Sequence, residues 1–317
     1  MGPVTTVDYH TAGEPFRIVI GGVPPIPGRD VLEKRRWAME HLDGVRRLLV
    51  MEPRGHADMY GGFPIEPGAG ADLGVLFFHN EGFSTACGHG TIALVTWALE
   101  RGPLRGAADG EREVTVDVPS GRLRTWARVR GGDVEEVRFR NVPSYVHETG
   151  IDVCGVRVDV AYGGAFYAIA DAPGGIAPDR LPALVALGRR IKGELNRSRD
   201  IVHPTEPRLR DVYGVIWVDG ERNVTVFADG EVDRSPCGSC TSARLALRHH
   251  RGEMAVGDTL TARSVIDTAF RGTIVAVTDL AGRPAVVPDV AGAAHLTGRH
   301  EFVLEDADLL GTGFLLR

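Results

Sequence analysis

The sequence predicts an α+β protein of two related, pseudo-symmetric domains, each a strand-rich shell around one central helix. Three observations carry this: a cysteine-centred segment that occurs twice, a helix pattern after each cysteine, and short strand-like runs through the rest. Sliding the chain along itself at one fixed offset places Cys87-Gly88 on Cys237-Gly238, Thr91 on Thr241, Ala93 on Ala243 and Arg101-Gly102 on Arg251-Gly252. A chain of 317 residues is also long enough for two separate cores. The expected division is 1–136 with 302–317 for the first domain and 137–301 for the second.

The strand reading rests on β-branched and aromatic runs bounded by turn residues, at 16–20, 74–78, 114–118, 213–218 and 224–227. A helix is expected to begin just after each repeated cysteine. Ser84 or Thr85 would cap the first and Asp233 or Ser235 the second, with Gly102 and Gly252 as stop signals. Ile92, Ala93, Leu94, Val95, Trp97, Ala98 and Leu99 leave the first helix no charged face, so it belongs in a domain centre. Arg244, Arg248, His249 and His250 predict that the second is partly exposed.

Composition narrows the function. Apolar residues at 43% and charged residues at 25% are ordinary for a folded soluble chain, and a net charge of −6 argues against nucleic acid as partner. Lys34 and Lys192 are the lysines; both sit in polar stretches, so no Schiff-base cofactor is expected. The N-terminus has no signal pattern and no run of about 18 apolar residues occurs, so the expected location is the cytoplasm, with no membrane partner. Four cysteines in a reducing compartment read as thiols.

A cysteine at a helix start has its thiolate favoured by the positive end of the helix dipole, which should lower its pKa and make it a usable base. The first-turn N–H groups of Gly88, His89 and Gly90, and of Gly238 and Ser239, suit a carboxylate. A glycine after each cysteine permits close approach of a ligand to the backbone. Inverting a stereocentre by proton transfer takes a base on one face and an acid on the other, and two equivalent cysteines supply that pair without metal or organic cofactor.

The segments MEPRGHADMYGG, ACGHGTIA and FADGEVDRSPCGSCTSARLA resemble the proline racemase family, which includes hydroxyproline epimerases and trans-3-hydroxyproline dehydratases. The likeness extends to His10-Thr11-Ala12-Gly13-Glu14-Pro15, Ala161-Tyr162-Gly163-Gly164-Ala165-Phe166 and Gly311-Thr312-Gly313-Phe314, and so covers essentially the whole chain. It implies a diaminopimelate-epimerase-like fold, a site in the cleft between the domains, a small imino-acid substrate and a homodimer. By the same resemblance Cys87 and Cys237 are the catalytic pair. Gly88, His89, Gly238 and Ser239 hold the substrate carboxylate, Asp233 lies near the substrate amine, and Tyr60 and Phe227 line the ring pocket.

Four departures bear on the reaction. Dehydratases of the family usually carry Thr where this chain has Cys237, which favours epimerisation. The stretch His79-Asn80-Glu81-Gly82 looks more like the 3-hydroxyproline dehydratase branch than the 4-hydroxyproline epimerases, and Leu209 stands where the latter often have a histidine. Together these favour a proline-like or 3-hydroxyproline substrate. Cys240 stands where the family, and Gly90 in the repeat, have glycine. Cys237-x-x-Cys240 is also compatible with a redox dithiol or half of a zinc site, although a structural zinc site normally takes four ligands. Cys154 reads as an ordinary small apolar residue.

Overall fold

The structure is a computed structural model that describes residues 2–316, so the outermost residue at each end of the expected first domain lies outside it. The chain divides into two compact units, Met1–Val137 with Ala293–Arg317, and Arg138–Gly292.

In the first unit, β1 (Val4–Thr11) and β2 (Glu14–Gly21) form a hairpin. The helices α1 (Val31–His41) and α2 (Asp43–Val50) then cross to β3 (Tyr60–Ile65), which is parallel to β2 with Arg17 opposite Gly61. The next strand, β4 (Leu73–His79), returns antiparallel to β3. Helix α3 (Gly88–Glu100) crosses to β5 (Gly110–Val118), parallel to β4 with Leu73 opposite Val116. Then come β6 (Gly121–Arg130), antiparallel to β5, and β7 (Asp133–Arg140), which runs past Val137 into the second unit. Parallel neighbours cannot be joined by a tight turn, which is why a helix stands at each crossover.

The second unit repeats this plan. Strands β8 (Ser144–Val153), β9 (Val156–Tyr162) and β10 (Phe166–Asp171) are antiparallel. Helix α4 (Leu181–Ser198) crosses to β11 (Val212–Asp219), parallel to β10, and β12 (Arg222–Phe227) returns antiparallel. After the short β13 (Glu231–Val232), helix α5 (Gly238–His250) crosses to β14 (Thr259–Arg263), which meets β12 in parallel at Arg222 and Arg263. Strands β15 (Ala269–Leu280) and β16 (Arg283–Gly292) complete it. The last strand, β17 (Ala294–Phe302), runs antiparallel along β1 from Val4 opposite Phe302 to Thr11 opposite Ala294. That pairing places 293–301 with the first unit.

All five expected strand runs fall inside strands β2, β4, β5, β11 and β12, and both expected helices form. The caps differ. Cys87 and Cys237 are themselves the N-cap residues, while Ser84 Oγ accepts from the Tyr60 hydroxyl and the Thr85 carbonyl from Ser120 N–H. Helices α1, α2 and α4 were not anticipated.

Helix α3 is buried except at Trp97 and Glu100, and Ile92, Ala93, Leu94, Val95 and Ala98 have no exposed surface. Exposure of α5 is confined to its last turn, because Arg244 is buried: its guanidinium donates to Asn223 Oδ1 at 2.7 Å and to the carbonyls of Gly220 and Glu221. Gly163 explains how β9 reaches α5 so closely, since a Cβ there would lie 2.2 Å from the Ser239 carbonyl oxygen. Among the described residues no helix is long and apolar enough to cross a membrane.

Candidate active site

In the first unit the sharp turn after β4 delivers Cys87 to the start of α3. Cys87 is extended, at φ −153°, and its sulfur turns back over the helix to accept the Gly90 N–H at 3.2 Å. This corrects one expectation: Gly90 N–H serves the sulfur, leaving the amides of Gly88 and His89 without an intrahelical acceptor. The glycine is sterically required, because a Cβ at position 90 would lie 2.7 Å from Cys87 Sγ and 2.4 Å from the Phe16 ring.

His89 lies beside the thiol, with both ring nitrogens 3.5 Å from Cys87 Sγ. Its ring meets the edges of Tyr60 at 5.0 Å and Phe16 at 5.8 Å, and its carbonyl accepts from Thr11 Oγ1 at 2.9 Å. Burial in this aromatic setting pushes the imidazole down to about 3, so it is neutral at physiological pH. Tyr60 is a wall of the same cluster, its hydroxyl turned to Ser84. The first unit therefore brings Cys87, Gly88, His89 and Tyr60 together.

The second unit builds its half differently. Cys237 holds φ +62° and ψ 115°, outside the comfortable range for a residue with a side chain, and makes no side-chain cap bond. Position 240, glycine in the repeat, here carries a buried thiol that accepts from Thr225 Oγ1 at 3.1 Å. A side chain there would collide with a sulfur placed as in Cys87, and the turned backbone of Cys237 removes that collision. Cys240 packs in the same buried cluster as Cys237.

Ahead of α5, Asp233 Oδ1 accepts from the Ser235 N–H at 2.8 Å and the Ser235 hydroxyl at 2.7 Å. Ser235 Oγ in turn accepts from the Cys237 N–H at 3.0 Å. Asp233 and Ser235 thus fix the approach to the helix rather than capping it. Burial raises the Asp233 carboxyl to about 6 against the pull of the Ser235 donors. On the other side, Ser239 Oγ lies 3.5 Å from Cys237 Sγ and 2.8 Å from the Tyr167 hydroxyl. Phe227 joins through Tyr213, at 5.7 Å, whose ring stands 6.0 Å from Tyr167.

The helix start was expected to lower both thiols. At Cys237 burial pushes the thiol well above its ordinary value, and the neighbouring Cys240 and Asp233 push the same way. Tyr167 was missed in the sequence, and Ser235 was read there only as a possible helix cap; each lies within a segment that marks the family resemblance or beside one, but neither residue type announces a role at the site.

The remaining candidates take structural places. Asn80 is buried and ties its loop down through the Val50 carbonyl at 2.6 Å and the Met59 N–H at 3.1 Å. Leu209 is buried, and its carbonyl accepts from the His203 N–H. Cys154, at φ +51° before Gly155 at +78°, forms the two-residue turn between β8 and β9. Lys34 and Lys192 donate to the carbonyls of Glu66 and Ala228. Among the described residues no group of three or more His, Cys, Asp or Glu side chains is arranged to hold a metal ion.

Known proteins align with this architecture from end to end. The family model described as proline racemase matches residues 6–315. A trans-3-hydroxy-L-proline dehydratase of Bacillus thuringiensis subsp. konkukian is 45% identical, covering 98% of both chains. A 3-hydroxyproline 2-epimerase of Burkholderia multivorans is 42% identical over 99% of this chain and 98% of its own. Among solved structures, a hydroxyproline epimerase from Agrobacterium vitis with bound trans-4-hydroxy-L-proline superposes with a TM-score of 0.92 at 33% identity, covering 99% of this chain and 96% of that one. The fold alone is shared with a PhzF-family phenazine biosynthesis protein of Bacillus anthracis, at TM-score 0.59 and 15% identity. With its two-unit α+β fold and a match along almost its whole length, the chain is an enzyme of the proline racemase family.

Proposed function

We propose that this enzyme is an isomerase that inverts the α-carbon of proline or a hydroxyproline, 3-hydroxyproline ahead of 4-hydroxyproline, without a cofactor. The observation that carries the reading is the repetition of one device: a buried cysteine, followed by glycine, at the start of a buried helix in each unit. One cysteine, as thiolate, takes the α-proton, and the other, as thiol, returns a proton to the opposite face. In the reverse direction the roles exchange. The amides of Gly88 and His89, and of Gly238 and Ser239, hold the carboxylate and stabilise the negative charge that forms on it as the proton leaves. Asp233 receives the ring ammonium, and Tyr60 and Phe227 bound the apolar ring. The names of the Burkholderia epimerase and the Bacillus dehydratase support a 3-hydroxyproline substrate. The family resemblance adds a homodimer, and the absence of a signal pattern in the sequence is the ground for placing it in the cytoplasm.

A second reading is dehydration of trans-3-hydroxy-L-proline with Cys87 as base, favoured by the names of relatives 42–45% identical to this chain. Cys237 weighs against it, because dehydratases of the family usually carry Thr there. The test is incubation of each proline isomer in deuterated water, followed by chiral chromatography and borohydride trapping. Epimerisation gives the inverted diastereomer with deuterium at the α-carbon, and Cys87→Ser and Cys237→Ser each abolish it. Full inversion by either variant would defeat the two-cysteine scheme, and an imine trapped by borohydride would establish the dehydratase.

A further inference from the structure

Tyr167 is a buried titratable group that the reaction above does not use. It lies on β10, 1% exposed, and its hydroxyl stands 2.8 Å from Ser239 Oγ. Ser239, 3% exposed in the first turn of α5, places the same oxygen 3.5 Å from Cys237 Sγ. Three groups in a row therefore share two protons besides the one on sulfur.

The direction of that row follows from burial. Among the described residues Ser239 is the hydrogen-bond partner of the Tyr167 hydroxyl, and a buried phenolic proton left without an acceptor is costly. The phenol is held far above its usual ionisation range by burial, so its proton stays in place. Tyr167 must then donate and Ser239 Oγ must accept, which leaves the Ser239 proton for the sulfur. We propose that Tyr167 is a positioning residue for Cys237: it orients the Ser239 hydroxyl so that this hydroxyl donates to the Cys237 sulfur and favours the thiolate.

The surroundings give this contact its weight. Cys237 faces Asp233 behind Ser235, Cys240 in its own helix, and Tyr167 from β10 with Tyr213 behind it. Asp233 and Cys240 disfavour charge on the sulfur, and Ser239 is the neighbour that opposes them. The first unit solves the same problem with the Gly90 N–H, a contact that the turned backbone of Cys237 gives up.

The inference rests on Cys237 being a proton-transfer group, so the test reads its ionisation without any substrate. The full chain is alkylated with iodoacetamide across pH, and modification at Cys237 is resolved from Cys240 by fragment mass spectrometry. Tyr167→Phe keeps the ring and removes the donor; the alkylation profile should move to higher pH by about one unit, roughly tenfold slower below its midpoint. Ser239→Ala should give the same displacement, and adding Tyr167→Phe to it should change nothing further. Ser239→Thr, which keeps a hydroxyl, should restore the original profile. An unmoved profile in a folded Tyr167→Phe protein, or additive effects in the double variant, overturns the proposal. If Tyr167→Phe does not fold, an unmoved profile in Ser239→Ala, or one that stays displaced in Ser239→Thr, overturns the proposal. A displaced profile in a chain that inverts no proline would remove the proposed reaction and leave this network standing; an unmoved profile in an active epimerase does the reverse.

Discussion

Replacing Asp233 with asparagine tests how burial and charge are balanced at the proposed amine contact. Both hydrogen bonds from Ser235 land on Oδ1, so the amide oxygen of asparagine can accept them unchanged. What the variant removes is ionisation. Burial raises this carboxyl from 3.8 to about 6, and two pKa units at about 1.4 kcal/mol each make ionised Asp233 cost the folded state about 3 kcal/mol. Because the folded pKa lies above the unfolded one, the contribution is fully present below about pH 4 and is lost as pH rises through about 6. Chemical denaturation of wild type and Asp233→Asn at pH 4 and pH 8 should therefore show the variant gaining about 3 kcal/mol relative to wild type at the higher pH. A substrate ammonium binds the ionised form, so in wild type KM should rise as pH falls below about 6, and the acid limb should vanish in a variant of weaker affinity. Equal stability differences at both pH values would refute the burial argument. A retained acid limb in the variant would remove Asp233 from amine binding.

Gly90→Ala places a methyl group 2.7 Å from Cys87 Sγ and against Phe16. We expect a loss of about 1–3 kcal/mol in thermal denaturation and roughly a hundredfold loss of inversion rate; a fully active variant would show that the sulfur need not lie over the first turn. Treatment with hydrogen peroxide should convert the Cys237 and Cys240 thiols to a disulfide with release of two waters, silencing the enzyme until a thiol reductant is added. Equal activity before and after reductant treatment of the oxidised protein sinks that expectation, and Cys240→Gly should escape this inactivation with little loss of activity.

The parts of this molecule that were legible in its sequence are those whose reasons are local. The Cys-Gly starts of α3 and α5 and the β-branched runs of β5 and β12 announce themselves within a few residues. Helix α1 buries only Ala38, so it has no apolar stripe to read, and α4 carries Gly188 and Gly193 in its interior, which weaken a helix pattern. Arg244 looks like an exposed helix residue until its acceptors at Gly220, Glu221 and Asn223 are seen. The same holds at the candidate site. Cys87 and Cys237 stand out, but the ionisation of Cys237 depends on groups that the fold gathers from β10, β12 and the segment before α5, and a dipole argument alone gives the wrong direction for it.

The pairing of β17 with β1 has a consequence for how the polypeptide comes off the ribosome. The second unit is one unbroken stretch and is complete once Gly292 has emerged, whereas β1 waits for a strand made nearly the whole chain later. At elongation rates of about 5–20 residues per second that wait lasts on the order of a quarter of a minute to a minute. During it one edge of β1, with its unpaired amides and carbonyls, is open to any extended peptide nearby. The order of synthesis thus makes the inserted half the first to mature, and leaves the N-terminal half dependent on the synthesis of β17.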